Sequence, residues 1–333
     1  MNTGLIAINN ILRPLSQYLK LDGVTELCVN NKYEIWLEKF GKFEKIAIPE
    51  LSLDYLENLA DIVATYNNQE ISVNKPLLSG NLPAGERIEI VRSPATQEFV
   101  MSIRRQQVRD LNLEDYELGG AFFNIESDEV KVNDSELVLI KYYKEKNYKA
   151  FLKQAIISKK NILISGGTGT GKTTFLNACL KEIPKTERII TVEDNREVIV
   201  SQPNCAHLLA PRKGQGTSEV TTESLFESCL RLRPDRIFLS EIRGGEVFAF
   251  LEAINSGHPG SLSTIHADHP KAAFEQIYRK MRRYGDKSER KDAFDYLKSI
   301  INVVVQLKRC PSPQRHMYVS EIYYDKINYD DVY

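Results

Sequence analysis

Residues 161–183 read Asn-Ile-Leu-Ile-Ser-Gly-Gly-Thr-Gly-Thr-Gly-Lys-Thr-Thr-Phe-Leu-Asn-Ala-Cys-Leu-Lys-Glu-Ile, and this stretch decides the fold. Its first five residues are short and apolar, like a buried strand. Gly166 to Thr173 match the P-loop spacing G-x-x-x-x-G-K-[ST]. The residues from Thr174 onward have helical spacing and stop at Pro184. Strand, glycine loop and helix together make a phosphate site. The glycines let backbone N–H groups converge on phosphate oxygens. The helix N-terminus adds partial positive charge. The cradle comprises Gly167, Thr168, Gly169, Thr170, Gly171, Lys172, Thr173 and Thr174. Lys172 is placed to reach the β and γ phosphates, and the Thr173 hydroxyl to ligate Mg²⁺. The spacing implies a nucleoside triphosphate as ligand.

Working outward, the chain after the loop alternates strand and helix. Arg188–Val192, Arg236–Ser240 and Ser261–Ile265 read as strands. Thr222–Leu232, Glu246–Asn255 and Pro270–Arg283 read as helices, and a polar loop over 210–216 interrupts them. Such alternation predicts βαβ units, a mainly parallel sheet and a RecA-like P-loop domain of α/β class. Before the loop, a helical pattern runs with breaks from Ser135 to Ser158. The first hundred residues predict a smaller α+β domain. Its strands are expected at Thr25–Val29, Tyr33–Leu37, Phe43–Ile48, Arg87–Val91 and Phe99–Ile103. A helix capped by Ser52 has Leu53, Leu56, Leu59, Ala60, Val63 and Ala64 on one face. The expected organisation is an N-terminal domain over 1–105, a linker over 106–134 and the P-loop domain over 135–333.

The bulk composition fits that reading. At 333 residues the chain exceeds one usual hydrophobic core. Lys and Arg number 44 against 45 Asp and Glu, a net charge of −1. That balance argues against a bulk electrostatic grip on nucleic acid. No apolar run approaches the length of a membrane span, and the N-terminus lacks a signal-peptide pattern. The expected location is cytoplasmic, or peripheral on the cytoplasmic face of a membrane. Five scattered cysteines without C-x-x-C spacing give neither a disulfide framework nor a zinc site.

In an open α/β sheet the ligand lies beyond the carboxyl ends of the strands. Here one strand runs into the P-loop, one ends in Glu193-Asp194, one in Glu241 with Arg243 after it, and one in His266. Phosphoryl transfer asks mainly for positioning and charge stabilisation. Glu193 reads equally as a base that orients water and as a solvated strand-end carboxylate. Glu241 carries the same two readings, with Mg²⁺ held through water as the functional one. His207, His269 and His316 read as ordinary histidines.

Four segments together resemble a known family. The P-loop is Gly166–Thr173. Arg188–Glu197 looks like an Asp box, Leu232–Glu246 like a Walker B segment, and Ser256–Ala267 like a His box. The chain resembles the secretion-superfamily traffic ATPases, most closely the hexameric traffic ATPase of type IV secretion systems. The likeness is strong over residues 155–285 and weaker before them. A four-cysteine zinc module typical of type II secretion relatives is absent. Ser240 stands where the family usually has glycine. The resemblance implies a Mg²⁺-dependent ATPase that forms a homo-hexamer and drives substrate export or pilus assembly. Its expected partners are inner-membrane components and other ATPases of a secretion machine, and no direct nucleic-acid contact is expected. In the family's terms Glu193 activates water, Glu241 supports the metal and His266 senses the γ-phosphate. Arginines from the N-terminal domain reach the phosphates. Arg87 and Arg104 match best, with Arg92 and Arg105 as substitutes. The rival readings are a pilus or type II secretion-like assembly motor and a DNA-translocating NTPase.

Overall fold

The structure is a computed structural model that describes residues 3–105, 112–123, 134–210, 218–310 and 317–327. Two sheets organise it. The first begins with helices α1 (Thr3–Ile11) and α2 (Arg13–Leu19). Strands β1 (Val24–Val29), β2 (Glu34–Lys39) and β3 (Lys42–Ala47) follow, then α3 (Leu53–Tyr66), β4 (Leu77–Asn81), β5 (Arg87–Val91) and β6 (Val100–Arg104). The strands pair antiparallel in the order β3-β2-β1-β6-β5-β4. α3 starts where Ser52 caps it, its hydroxyl accepting the Tyr55 N–H at 3.2 Å. Leu56, Leu59, Ala60, Val63 and Ala64 are buried at helical spacing against the sheet, while Leu53 stays exposed. A short helix, α4 (Leu113–Leu118), is followed by α5 (Asp134–Lys144) and α6 (Tyr148–Ile157).

The second sheet carries the P-loop. Its elements are β7 (Ile162–Gly166), α7 (Lys172–Leu180), β8 (Ile189–Glu193), β9 (Cys205–Leu209), α8 (Thr222–Arg231), β10 (Arg236–Leu239) and α9 (Glu246–Asn255). Then come β11 (Leu262–Ile265), α10 (Pro270–Arg283), α11 (Arg290–Ile300), β12 (Val303–Arg309) and β13 (Met317–Tyr324). The order is β13-β12-β7-β11-β10-β8-β9. All pairs are parallel except the final β12–β13 hairpin. A parallel sheet covered on both faces needs strands that are apolar throughout, and β7, β8, β10 and β11 are buried along their whole length. Strand alternation divides β7 between the two faces. Ile162 and Ile164 pack with α5, α6 and α7, whereas Leu163 packs with α8, α9, α10 and α11.

The first sheet docks on the β9 edge of the second. Val91, Ala95 and Val100 share one apolar cluster with Leu208, Leu225 and Phe226. Leu209 N–H donates to Ala95 O at 2.7 Å. The polar part of this seam lies at the N-terminal ends of β8 and β10. There Arg188 donates to Asn30 Oδ1 at 2.6 Å, and Arg233 forks onto the Glu38 carboxylate.

The alternation read from sequence is present, with boundaries shifted by one or two residues. Most of the expected polar loop over 210–216, part of the expected linker and His316 lie outside the described residues. Strands β4, β9, β12 and β13 were not expected.

Candidate active site

Because β7, β8, β10, β11 and β12 run parallel, their carboxyl ends share one rim. The P-loop leaves β7 at Gly166. Gly169 and Gly171 hold φ of +69° and +78°, a region only glycine enters without cost. Gly171 caps α7, so the first residue of the helix is Lys172. The lysine is buried, at 8% exposed. Its ammonium donates to Gly166 O at 3.0 Å and Gly167 O at 3.1 Å, and it lies 3.2 Å from His266 Nδ1. Among the described residues no carboxylate forms an ion pair with it. Burial holds its pKa below the ordinary lysine value, against the pull of Glu241. A partly desolvated cation, at a helix N-terminus and bonded to carbonyls and an imidazole, is matched to an incoming anion.

His266 links this cation to a carboxylate. Its Nε2 lies 3.1 Å from Glu241 Oε1. Arg243 donates to Glu241 Oε2 at 2.9 Å and bridges on to Asp194. The chain Lys172–His266–Glu241–Arg243–Asp194 therefore crosses four strand ends. Glu241 and Asp194 line a cavity of about 450 Å³, together with Thr221, Glu223 and Tyr284. Ser240 keeps the β10 pairing intact, since its N–H donates to Val192 O at 3.1 Å. On the other side of the loop the Thr173 hydroxyl lies 3.5 Å from Glu197 Oε2. Thr174 occupies the first turn of α7.

Glu193 is brought to the rim but sealed within it, at 1% exposed. Its Oε1 accepts from Thr191 Oγ1 at 2.7 Å, with His207 Nδ1 3.4 Å away. Its Oε2 accepts the N–H groups of Glu197 and Val198 at 2.8 and 2.7 Å. Burial alone would raise its pKa, but the contacts with His207, Thr191 and the two N–H groups outweigh burial and hold it below the carboxylate norm. In this arrangement Glu193 pins the loop that carries Glu197. His207 is the residue sequence reasoning missed here. Its signal is the β8–β9 register that sets it opposite Thr191, invisible while β9 went unread. His258 and His269 are structural. The first bonds Pro234 O at 3.1 Å, and the second caps α10.

The arginines of the first sheet are not brought to this loop. Arg87 and Arg104 face each other across β5–β6 and are exposed. Arg104 pairs with Glu26, whose charge feels Arg188 at the N-terminal end of β8. That is the end of the sheet opposite the P-loop, and β9 lies four strands from β7. Arg92 is engaged by Glu57 and Asp61, and Arg105 by Leu21 O.

The family profile described as "Type II/IV secretion system protein" matches residues 125–329, more than half of the chain. The chain belongs to this family. Among its relatives is the type IV secretion system protein VirB11 of Bartonella quintana (strain Toulouse), 40% identical over 97% of this chain and 94% of that protein. VirB11 of Brucella suis biovar 1 (strain 1330) is 34% identical over 96% of this chain and 90% of that protein. The crystal structure of the VirB11 ATPase from the Brucella suis system, in complex with sulphate, superposes with a TM-score of 0.90. The match has 33% identity and covers 97% of this chain and 96% of that one. Membership agrees with the resemblance drawn from the four motifs. No helix among the described residues is long and apolar enough to cross a membrane.

Proposed function

We propose that this member of the family is the ATPase of a type IV secretion machine, turning over ATP with Mg²⁺ to drive export or pilus assembly. The observation that carries the reading is Lys172, a buried cation with no carboxylate ion pair among the described residues, set inside a glycine loop and chained to His266 and Glu241. The loop's N–H groups and the lysine receive the β and γ phosphates.

Thr173 and Glu241 are the residues that would hold Mg²⁺. Among the described residues no cluster of three acidic, His or Cys side chains could cage a metal. That suits Mg²⁺, which keeps its waters and binds largely through substrate phosphates. When bound, the ion offsets the charge of the phosphates. Glu241, on the cavity wall, orients the attacking water. Glu193 acts by ordering the 194–198 loop, and exchanges its backbone hydrogen bonds before it can serve as a base. His266 touches both Lys172 and Glu241, so a γ-phosphate that draws the lysine away also frees the carboxylate.

Arg87 and Arg104 lie at the wrong end of their own sheet to meet their own nucleotide. Their role as phosphate readers therefore requires a neighbouring copy, as in a ring of six at the cytoplasmic face of the inner membrane. The test is ATP hydrolysis by the full chain with and without Mg²⁺, alongside mass measurement with ATP and with none. Hydrolysis dependent on Lys172, by an assembly of six, is the expected result. A monomer under all nucleotide conditions removes the ring. Acceleration by single-stranded DNA would favour the translocase reading instead.

A further inference from the structure

The C-terminal hairpin grips the P-loop from outside. β12 runs parallel to β7 with Leu307 opposite Gly166, so the next turn of chain lands beside the loop. Arg309 Nη2 donates to Thr168 O at 3.1 Å, and its Nε donates to Gly169 O at 3.3 Å. Met317, the partner of Arg309 across the hairpin, places its sulfur 2.8 Å from where a Cβ would stand on Gly171. The guanidinium occupies the same space beside Gly169. Both left-handed glycines of the loop are thus among the points the hairpin touches.

We propose that Arg309 is a positioning residue for nucleotide binding. The inference rests on the nucleotide-site reading above. A trans peptide fixes its carbonyl and the next N–H in opposite directions. Holding the Thr168 carbonyl on the outer side therefore aims the Gly169 N–H inward, where phosphate oxygens bind, while holding the Gly169 carbonyl fixes the Thr170 N–H, which donates to Gly167 O at 3.4 Å. A guanidinium is the side chain for this task, since its planar fork engages two adjacent carbonyls at once and keeps its charge. Without it the loop samples orientations in which the Gly169 N–H is misaimed, and binding must then select the competent fraction.

The test compares wild type, Arg309→Ala and Arg309→Lys in the full chain, with Lys172→Ala as control. Affinities for ATP and ADP, KM, kcat and nucleotide-free melting temperature are measured. Arg309→Ala is expected to weaken ATP and ADP by the same factor, about tenfold, the scale of a charge-assisted hydrogen bond at a partly solvated site. The loss appears in KM with kcat and melting temperature held. Arg309→Lys behaves like Arg309→Ala, because one ammonium does not reproduce the fork. Unchanged affinity in Arg309→Ala, or full rescue by Arg309→Lys, overturns the proposal. So does a loss confined to ATP, which would make Arg309 a γ-phosphate ligand, or a fall in melting temperature that accounts for the affinity. If Arg309→Ala does not fold, Arg309→Lys carries the same test. Retained ATP affinity in Lys172→Ala overturns the nucleotide site itself, a failure distinct from that of the clamp.

Discussion

The two ends of the second sheet treat charge in opposite ways. At the N-terminal ends of the strands Arg188 and Arg236 are wholly buried. Arg236 forks onto Glu187 at 2.6 and 2.9 Å and donates to Ile156 O at 2.7 Å. Arg188 donates to Leu232 O at 2.9 Å and to two asparagine oxygens, one of them across the seam. At the carboxyl ends the charges form a half-open chain that reaches a cavity at Glu241, Arg243 and Asp194, and among the described residues Lys172 forms no ion pair with a carboxylate. Buried charge costs several kcal/mol unless it is paired and hydrogen-bonded. The N-terminal end, where the arginines bond across the seam although Arg188 Nη2 itself meets no partner among the described residues, therefore holds the two sheets together, while the carboxyl end, where Lys172 bonds carbonyls and an imidazole rather than a carboxylate, keeps a place for a ligand's charge.

Substitutions should separate these ends. Arg236→Ala removes the buried guanidinium from Glu187, leaving it Lys159 at 3.7 Å, and is expected to cost about 3 kcal/mol of stability, the low end of the range for breaking a buried pair. Thermal or denaturant unfolding reads the loss, and turnover per folded molecule should hold. Equal damage to turnover at unchanged stability would dissolve the contrast. Glu241→Gln, at the rim, should do the reverse. It is isosteric and removes the carboxylate beside His266, so turnover is expected to fall by about 10²-fold while unfolding stays put. Steady-state kinetics with ATP in excess checks it. A lesser effect than in Glu193→Gln would return the base role to Glu193.

A pH series probes the N-terminal end further. Burial raises the Glu26 carboxyl from 4.5 to about 7, opposed by the Ser102 hydroxyl and by Arg104 and Arg188. The folded chain therefore holds a proton there that the unfolded chain has released. This stabilisation is full below pH 4.5 and is lost as pH rises through about 7. Glu26→Gln should remove that dependence. Relative to the variant, wild type should lose up to about 3 kcal/mol between pH 5 and pH 8, taking 1.36 kcal/mol per pKa unit. Parallel stability curves for the two would mean that Glu26 is not buried at the seam.

Most of the rim was legible in the sequence because its strands are continuous apolar runs that end abruptly in polar residues. Gly166–Thr173, Glu241 and His266 are each one step past such a run, and the parallel sheet brings them together as expected. The strands that escaped reading are at the edges, where periodicity is mixed. β9 reads Cys-Ala-His-Leu-Leu with alternating burial, and missing it hid His207 behind Glu193. β12 ends in exposed Lys308 and Arg309, and missing it hid the grip on the P-loop. Arg87 and Arg104 lie away from the P-loop of their own chain for another reason. Sequence order says nothing of which edge a second sheet docks against, and here the seam is set by Asn30, Glu38 and Val100, none of which carries a motif.

The nucleotide site depends on Lys172 as a cation held for phosphate. The direct measurement is calorimetric titration of ATP into the full chain and its Lys172→Ala variant, with the melting temperature of each recorded. The variant is expected to lose at least about 100-fold in affinity, as for removing a charged phosphate donor from a partly desolvated site, while melting where wild type melts. Near-normal ATP affinity in Lys172→Ala would contradict it.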